Sequence, residues 1–197
     1  RTAGVKDIIL ATPPLRDGSV SQVILAAAAV AGVDRVYSIG GAQAIAALAF
    51  GTQSVPRVDK VCGPGNIYVF LAKRMVFGYV GIDGLFGPTE VFIVADDSAN
   101  PAFVAADLLA QAEHGSGASA VLVTVSRRFA AEVNQEVEKQ TWDLSRAAMV
   151  NESLEKNGII AIVDSVEQAI ELGNVYAPEH LCLRVKDAES YAEKVRH

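Results

Sequence analysis

The feature that most constrains this chain is a regular alternation of short β-branched runs with longer helical patterns. Such alternation indicates βαβ units and a mainly parallel sheet, so the expected fold class is α/β. Strands are predicted at residues 7–11, 35–39, 60–62, 91–95, 120–125, 159–163 and 181–185. Helices are predicted at residues 20–31, 42–50, 67–77, 101–114, 128–140, 166–172 and 188–195.

A long connection divides this pattern. The stretch from Gly78 to Glu90 contains four glycines and one proline, which favours a domain boundary. Residues 1–82 are expected to form one Rossmann-like, mainly parallel half and residues 87–197 a second, with the two halves facing a cleft. The chain opens without methionine and runs almost at once into a strand pattern, so a fragment of a longer protein is expected.

Composition excludes several classes of protein. The 51% of apolar residues and 20% of charged residues are typical of a globular domain. A net charge of −6 without a basic stripe argues against nucleic-acid binding. The longest apolar stretch, residues 23–33, is too short to span a membrane, and no signal peptide is recognised at the start, so a cytoplasmic protein is expected.

Two glycine turns each follow a predicted strand and open a predicted helix. At Gly40-Gly41-Ala42-Gln43 the backbone N–H groups and the helix dipole are able to receive a phosphate. Gly63-Pro64-Gly65-Asn66 repeats the arrangement, and two such turns suggest a nucleotide. The alternative is structural: no Gly-x-Gly-x-x-Gly fingerprint is present, and Asn66 is a natural helix N-cap.

Gln111 and His114 lie three residues apart in a predicted helix, so they are expected to share one face. An amide oxygen and an imidazole nitrogen are both acceptable zinc ligands. Two ligands do not complete a site, however. In the alternative interpretation His114 only caps the last turn of its helix, where a partly charged histidine is favourable.

Glu179 and His180 occupy a bend just before an apolar strand. A carboxylate beside an imidazole makes an acid/base couple, because histidine titrates near neutrality and a neighbouring carboxylate tunes it. The alternative is a polar loop with an incidental histidine. Open α/β sheets usually bind ligands beyond the carboxyl ends of their strands, whereas this bend precedes its strand.

Taken together, these segments resemble the histidinol dehydrogenase family over essentially the whole chain. The order and spacing of the motifs are similar to those of the family. The matching segments are residues 40–49, Gly63-Pro64-Gly65-Asn66, Gly87-Pro88-Thr89-Glu90, Gln111-Ala112-Glu113-His114 and Ala177-Pro178-Glu179-His180-Leu181.

The resemblance implies a zinc-dependent homodimeric enzyme that uses two NAD molecules to oxidise L-histidinol to L-histidine through an aldehyde, in histidine biosynthesis. Gln43 and Asn66 fall where the family contacts NAD. Gln111 and His114 fall where the family has two zinc ligands that also approach the substrate. Glu179 and His180 match its acid/base pair, with His180 expected to take the alcohol proton and Glu179 to activate water.

Some positions depart from the family pattern. Thr89 stands where a substrate-contacting serine is usual, and Phe86 stands where a smaller residue is common. The remaining zinc ligands of the family, an aspartate and a histidine, are not matched by Asp187 or His197. The chain alone is therefore expected to be incomplete and inactive. Two rival functions stay open: oxidation of another small polar alcohol on the same scaffold, and a noncatalytic binding module.

Overall fold

A computed structural model describes residues 2–196, which form two compact units, the first ending at Gly87 and the second beginning at Pro88. The strands are β1 (Ile9–Ala11), β2 (Arg35–Tyr37), β3 (Lys60–Val61), β4 (Gly81–Ile82), β5 (Glu90–Ala95), β6 (Ser119–Thr124), β7 (Gly158–Ile162) and β8 (His180–Arg184). The helices are α1 (Gln22–Ala31), α2 (Gly41–Phe50), α3 (Ile67–Val76), α4 (Pro101–Ala112), α5 (Arg127–Thr141), α6 (Ala147–Asn157), α7 (Val166–Tyr176) and α8 (Ala188–Ala192).

The first unit contains two separate parallel strand pairs, β1 with β2 and β3 with β4. Its core is built largely from α2, which buries Ile45, Leu48 and Ala49 against Val61 of β3 and Val76 of α3. Because α2 and α3 each follow a strand directly, their amino termini lie at the carboxyl ends of β2 and β3. The two glycine turns therefore sit at those strand ends.

The second unit is a parallel four-stranded sheet with strand order β7-β6-β5-β8. Alternate residues of β5 point to opposite faces. Ile93 packs with Leu108 of α4 and Phe129 of α5, whereas Phe92 packs on the other face with Ala169 of α7. Helices on both faces and a reversal of strand order beside β5 make this a doubly wound, Rossmann-like arrangement.

The predicted α/β class is confirmed, and every strand pair within residues 2–196 is parallel. Two elements were not predicted, the two-residue β4 inside the glycine-rich connection and helix α6. Two boundaries also differ. Helix α4 ends at Ala112, so His114 lies beyond the helix, and β8 begins at His180, which places this residue in a strand rather than in a loop. No helix in the described part of the chain is long and apolar enough to cross a membrane.

Candidate functional site

Three segments of the second unit meet at the amino-terminal edge of its sheet. In a parallel βαβ unit the helix runs back against the strands, so the end of α4 returns to the edge at which β5 begins. β8 pairs with β5 in a register that sets His180 beside Val91. These segments bring together the predicted residues Thr89, Gln111, His114, Glu179 and His180.

The hydroxyl of Thr89 links two of these side chains. Gln111 is 7% exposed, and its Nε2 donates a hydrogen bond of 2.6 Å to Thr89 Oγ1. The Thr89 hydroxyl in turn forms a side-chain hydrogen bond with the carboxylate of Glu179, to which only the hydroxyl can donate. Because the amide nitrogen of Gln111 is engaged in this way, its amide oxygen is the atom left to accept or to coordinate.

His114 lies just beyond α4 and is exposed. Its Nδ1 is 3.0 Å from the carbonyl oxygen of Ala110, which can only accept a hydrogen bond. With the proton on Nδ1, the lone pair of the neutral ring is on Nε2. This is the tautomer that a metal-binding histidine adopts when a backbone carbonyl orients it.

Glu179 is held as a carboxylate. Its pKa is lowered, chiefly by the hydrogen bond from Thr89 and further by the backbone N–H of Glu90 and by the nearby His180 and His114. The Glu90 nitrogen lies 3.4 Å from Glu179 Oε2. His180 Nε2 lies 3.8 Å from Glu179 Oε1, with side-chain exposures of 58% for His180 and 48% for Glu179. An anionic carboxylate beside a solvent-accessible imidazole is suited to proton transfer.

The bend before Glu179 has an unusual backbone. Ala177 has a φ of 50°, and in the described part of the chain it is the only residue other than glycine with a positive φ. This left-handed conformation ends α7, where the Ala177 N–H bonds to the carbonyl of Gly173. Left-handed conformations cost an alanine roughly 1–2 kcal/mol and are often found at functional sites. Pro178 is buried directly after it, which anchors the approach to Glu179.

The first predicted cofactor turn opens α2. Gly40 is the N-cap of this helix and supplies no side-chain hydrogen bond, and Gln43 is exposed in the first turn. A Cβ at Gly40 would lie 2.7 Å from Cβ of Pro13, so this position requires glycine for a close approach of two chain segments. Among the described residues, no side chain caps the leading backbone N–H groups of α2.

The second predicted cofactor turn opens α3. Asn66 caps that helix, since its Oδ1 accepts from the N–H groups of Tyr68 and Val69, each at 3.1 Å. The capping role considered from the sequence is thus present, and only the Asn66 amide nitrogen remains to donate to a ligand. Gly63, with a φ of +119°, has open space where a Cβ would point.

Sequence reasoning missed Lys73 and Asp83, which form an ion pair beneath this second turn. A signal for Lys73 was present. It lies four residues after Val69 and three before Val76, on the stripe of α3 that packs into the core, so a lysine there needs a buried partner. Asp83 lies in the glycine-rich connection, where periodicity carries no information.

The donor set around His114 fits part of a zinc site. The Gln111 amide nitrogen and His114 Nδ1 are engaged in hydrogen bonds. The Gln111 amide oxygen and His114 Nε2 are therefore the atoms of these side chains that are able to bind a metal. Within residues 2–196 no cluster of three or more histidine, cysteine or acidic side chains is placed to hold a metal. His197 lies outside the described residues. A zinc ion held by these two atoms would need further ligands beyond them.

Comparison with known proteins places these features in a family context. The sequence profile of histidinol dehydrogenase matches residues 1–197. Over all of this chain, a histidinol dehydrogenase of Dehalococcoides mccartyi is 56% identical and one of Bacillus cereus is 52% identical; the chain spans 45% and 46% of their respective lengths. The crystal structure of histidinol dehydrogenase from Elizabethkingia anophelis matches 98% of this chain with a TM-score of 0.90 and 41% identity, and 45% of that structure is covered.

Proposed function

We propose that this chain, which belongs to the histidinol dehydrogenase family, is part of a zinc-dependent, NAD-linked enzyme that oxidises L-histidinol to L-histidine through the aldehyde. The family assignment supports a role in histidine biosynthesis. Because the chain spans less than half the length of these relatives, the activity is proposed for the full-length protein.

The observation that carries the proposal is the hydrogen-bonded group at the amino edge of the second sheet. Gln111 and His114 each keep one possible zinc-binding atom, an amide oxygen and a ring nitrogen, outside their hydrogen bonds. Glu179 is linked to Gln111 through Thr89 and is near His114, and His180 lies beside it. When bound, zinc would hold the imidazole and amine of the substrate, which is a positioning role. Further ligands are proposed to come from parts of the homodimeric enzyme outside residues 2–196.

The acid/base roles follow from the chemistry of the two oxidations. His180 is proposed to take the hydroxyl proton as hydride leaves the alcohol carbon for NAD, giving the aldehyde and NADH. Glu179, held as an anion by Thr89, is proposed to take a proton from the water that adds to the aldehyde carbon. Loss of a second hydride from the hydrated aldehyde then gives the carboxylic acid and a second NADH.

When bound, NAD would accept the hydride in both steps. Gln43 and Asn66 are the residues proposed to contact it. The exposed Gln43 side chain and the Asn66 amide nitrogen are both able to form hydrogen bonds with a dinucleotide. Open space at Gly63 and uncapped N–H groups at the start of α2 fit a ligand with phosphate groups.

The test is NADH production by the full-length enzyme with zinc and L-histidinol. Formation of L-histidine with two NADH per histidinol is the expected result. NADH formed only from another alcohol would keep the dehydrogenase assignment and exclude histidinol as the substrate. NAD binding without turnover of any alcohol would favour a noncatalytic module.

A further inference from the structure

The turn at Gly63 is held by a buried ion pair. The Lys73 side chain is 3% exposed and pairs with Asp83, whose side chain is 25% exposed. Lys73 Nζ donates to the Gly63 carbonyl oxygen at 3.0 Å, and Asp83 Oδ2 accepts from the Gly63 N–H at 2.7 Å. Both backbone polar groups of one glycine are therefore fixed by opposite ends of the same ion pair.

The pair also ties this turn to its neighbours. Asp83 Oδ1 accepts from the N–H of Gly84 at 2.9 Å, and the Asp83 N–H bonds to the Val61 carbonyl at 3.2 Å. Lys73 extends from α3, the helix that Asn66 caps. The carboxyl ends of β3 and β4, the glycine turn and α3 are thus joined through two side chains.

The position of this contact matters because Gly63 is otherwise weakly constrained. Its φ of +119° is a backbone conformation that glycine adopts readily and other residues rarely do. Glycine also has no side chain of its own that could hold the residue in place by packing. Beside it is a pocket of about 10 Å³ lined by Gly65, Lys73 and Phe86, with the Phe86 ring centroid 5.3 Å from Lys73 Nζ. At this distance the face of the ring attracts the ammonium group and helps to hold Lys73 at the turn.

We propose that Lys73 and Asp83 are positioning residues for the cofactor turn: they hold Gly63 so that Asn66 and the open space at Gly63 face the dinucleotide. This inference rests on the proposed function, in which Asn66 contacts NAD. Neither charged group needs to touch the cofactor, because both act through the backbone of Gly63. A purely structural pair would instead change stability and leave NAD affinity intact.

The first test is Lys73→Met in the full-length enzyme, with NAD affinity measured by titration calorimetry and turnover measured at saturating NAD. Loss of one or two hydrogen bonds to the cofactor as the turn shifts is expected to lower NAD affinity by about 10- to 100-fold. The KM for NAD should rise in parallel while kcat stays within about threefold, as loss of uniform binding requires. Arg35→Met, which removes the exposed pair with Asp7 in the same unit, is the matched control and should leave NAD affinity unchanged.

A second variant separates positioning from stability. Lys73→Met leaves Asp83 unpaired, whereas Lys73→Met combined with Asp83→Asn removes both charges and should recover much of the lost thermal stability. NAD affinity is expected to stay low in the double variant, which also serves if the single variant does not fold. Recovery of NAD affinity together with stability, or unchanged affinity in Lys73→Met, would overturn the inference. If the unmodified enzyme binds no NAD, the proposed function itself fails and this inference fails with it.

Discussion

At the scale of single residues, Thr89 is the central hydrogen-bonding group of the site. Its hydroxyl accepts from the buried amide of Gln111 and bonds to the carboxylate of Glu179. The methyl group that distinguishes threonine from serine does not take part in either bond. The hydroxyl therefore has a positioning role that is independent of any contact with substrate.

Thr89→Val keeps the shape of the side chain and removes this hydroxyl. The Gln111 N–H then loses its acceptor in a buried position, which should lower the free energy of unfolding by about 1–3 kcal/mol. The pKa of Glu179 should rise towards its ordinary value of 4.5, because its main hydrogen-bond donor is gone. Urea unfolding and an NMR titration of the Glu179 carboxyl measure the two effects.

The matched control is Thr89→Ser, which retains the hydroxyl. It should keep the lowered pKa of Glu179, so that the carboxylate persists to lower pH than in Thr89→Val. The stabilisation linked to this lowered pKa is present above the ordinary value of 4.5 and is lost as pH falls through the folded-state pKa. Identical titration of Glu179 in both variants would exclude Thr89 as the cause of the shift.

Substitutions of the neighbouring residues Glu179 and His180 are predicted to impair different half-reactions. In the full-length enzyme, His180→Asn should depress alcohol oxidation by about 10²- to 10⁴-fold, the usual contribution of a general base. Glu179→Gln should mainly impair the water-dependent oxidation of the aldehyde. Each half-reaction is followed as NADH formation from histidinol or from the aldehyde. Equal losses in both half-reactions for both variants would contradict the division of roles.

At the scale of secondary-structure elements, the ion pair between Lys73 of α3 and Asp83, just after β4, makes the first unit sensitive to acid. Burial alone would raise the pKa of Asp83, but the Gly63 N–H and the Lys73 side chain outweigh it and lower this pKa from 3.8 to about 2. A depressed carboxyl pKa contributes stability above the unfolded value of 3.8, and that contribution is lost as pH falls through about 2.

Comparing the unmodified protein with Asp83→Asn should therefore show a difference in unfolding free energy that shrinks by about 2 kcal/mol between pH 5 and pH 2. Denaturant unfolding at several pH values, monitored by a probe in the first unit, provides the measurement. Asp7→Asn is a suitable control, since Asp7 belongs to an exposed ion pair. A difference that is independent of pH would contradict the assigned role of the ion pair.

Most elements were predictable because their hydrophobic patterns are long. The six residues of β5 and the six of β6 are nearly all buried and β-branched or apolar, so each strand appears in the sequence as a continuous apolar run. β4 has two residues within a glycine-rich stretch, so no pattern exists to detect. Helix α6 begins at Ala147 without a side-chain cap and buries only Val150 and Ser153, which leaves too narrow an apolar face for recognition.

The candidate residues were found from motifs, whereas their contacts depend on tertiary packing. The three-residue spacing predicted that Gln111 and His114 would share one face of a helix. Helix α4 instead ends at Ala112, and the His114 N–H bonds to the Gln111 backbone carbonyl in the turn that follows. The connection of Thr89 to Gln111 spans 22 positions, and Glu90 is 89 positions from Glu179. A local sequence pattern cannot predict such contacts, because they depend on the order of the strands in the sheet.

At the scale of the whole molecule, the ligand count predicts the behaviour of the 197-residue chain alone. Gln111 offers a neutral oxygen and His114 one nitrogen, while a zinc site of this type needs at least three protein donors. The chain should fold, because the second unit has helices packed on both faces of its sheet. It should retain no zinc after dialysis and should form no NADH from histidinol.

Metal analysis and an NADH assay on one purified sample provide the measurement. The full-length enzyme, prepared in parallel, is the control and should retain zinc. Stoichiometric zinc in the 197-residue chain would mean that another of its residues completes the site.

The strand order of the second unit also determines when its candidate site residues come together during synthesis. β5, β6 and β7 leave the ribosome before β8, yet β8 must return to the open side of β5. Until β8 pairs with it, the open side of β5 is an unpaired strand edge, and such edges are prone to association. Glu179 and His180 arrive only with the last strand. An unfinished chain therefore exposes the edge of β5 before these two candidate residues are in place.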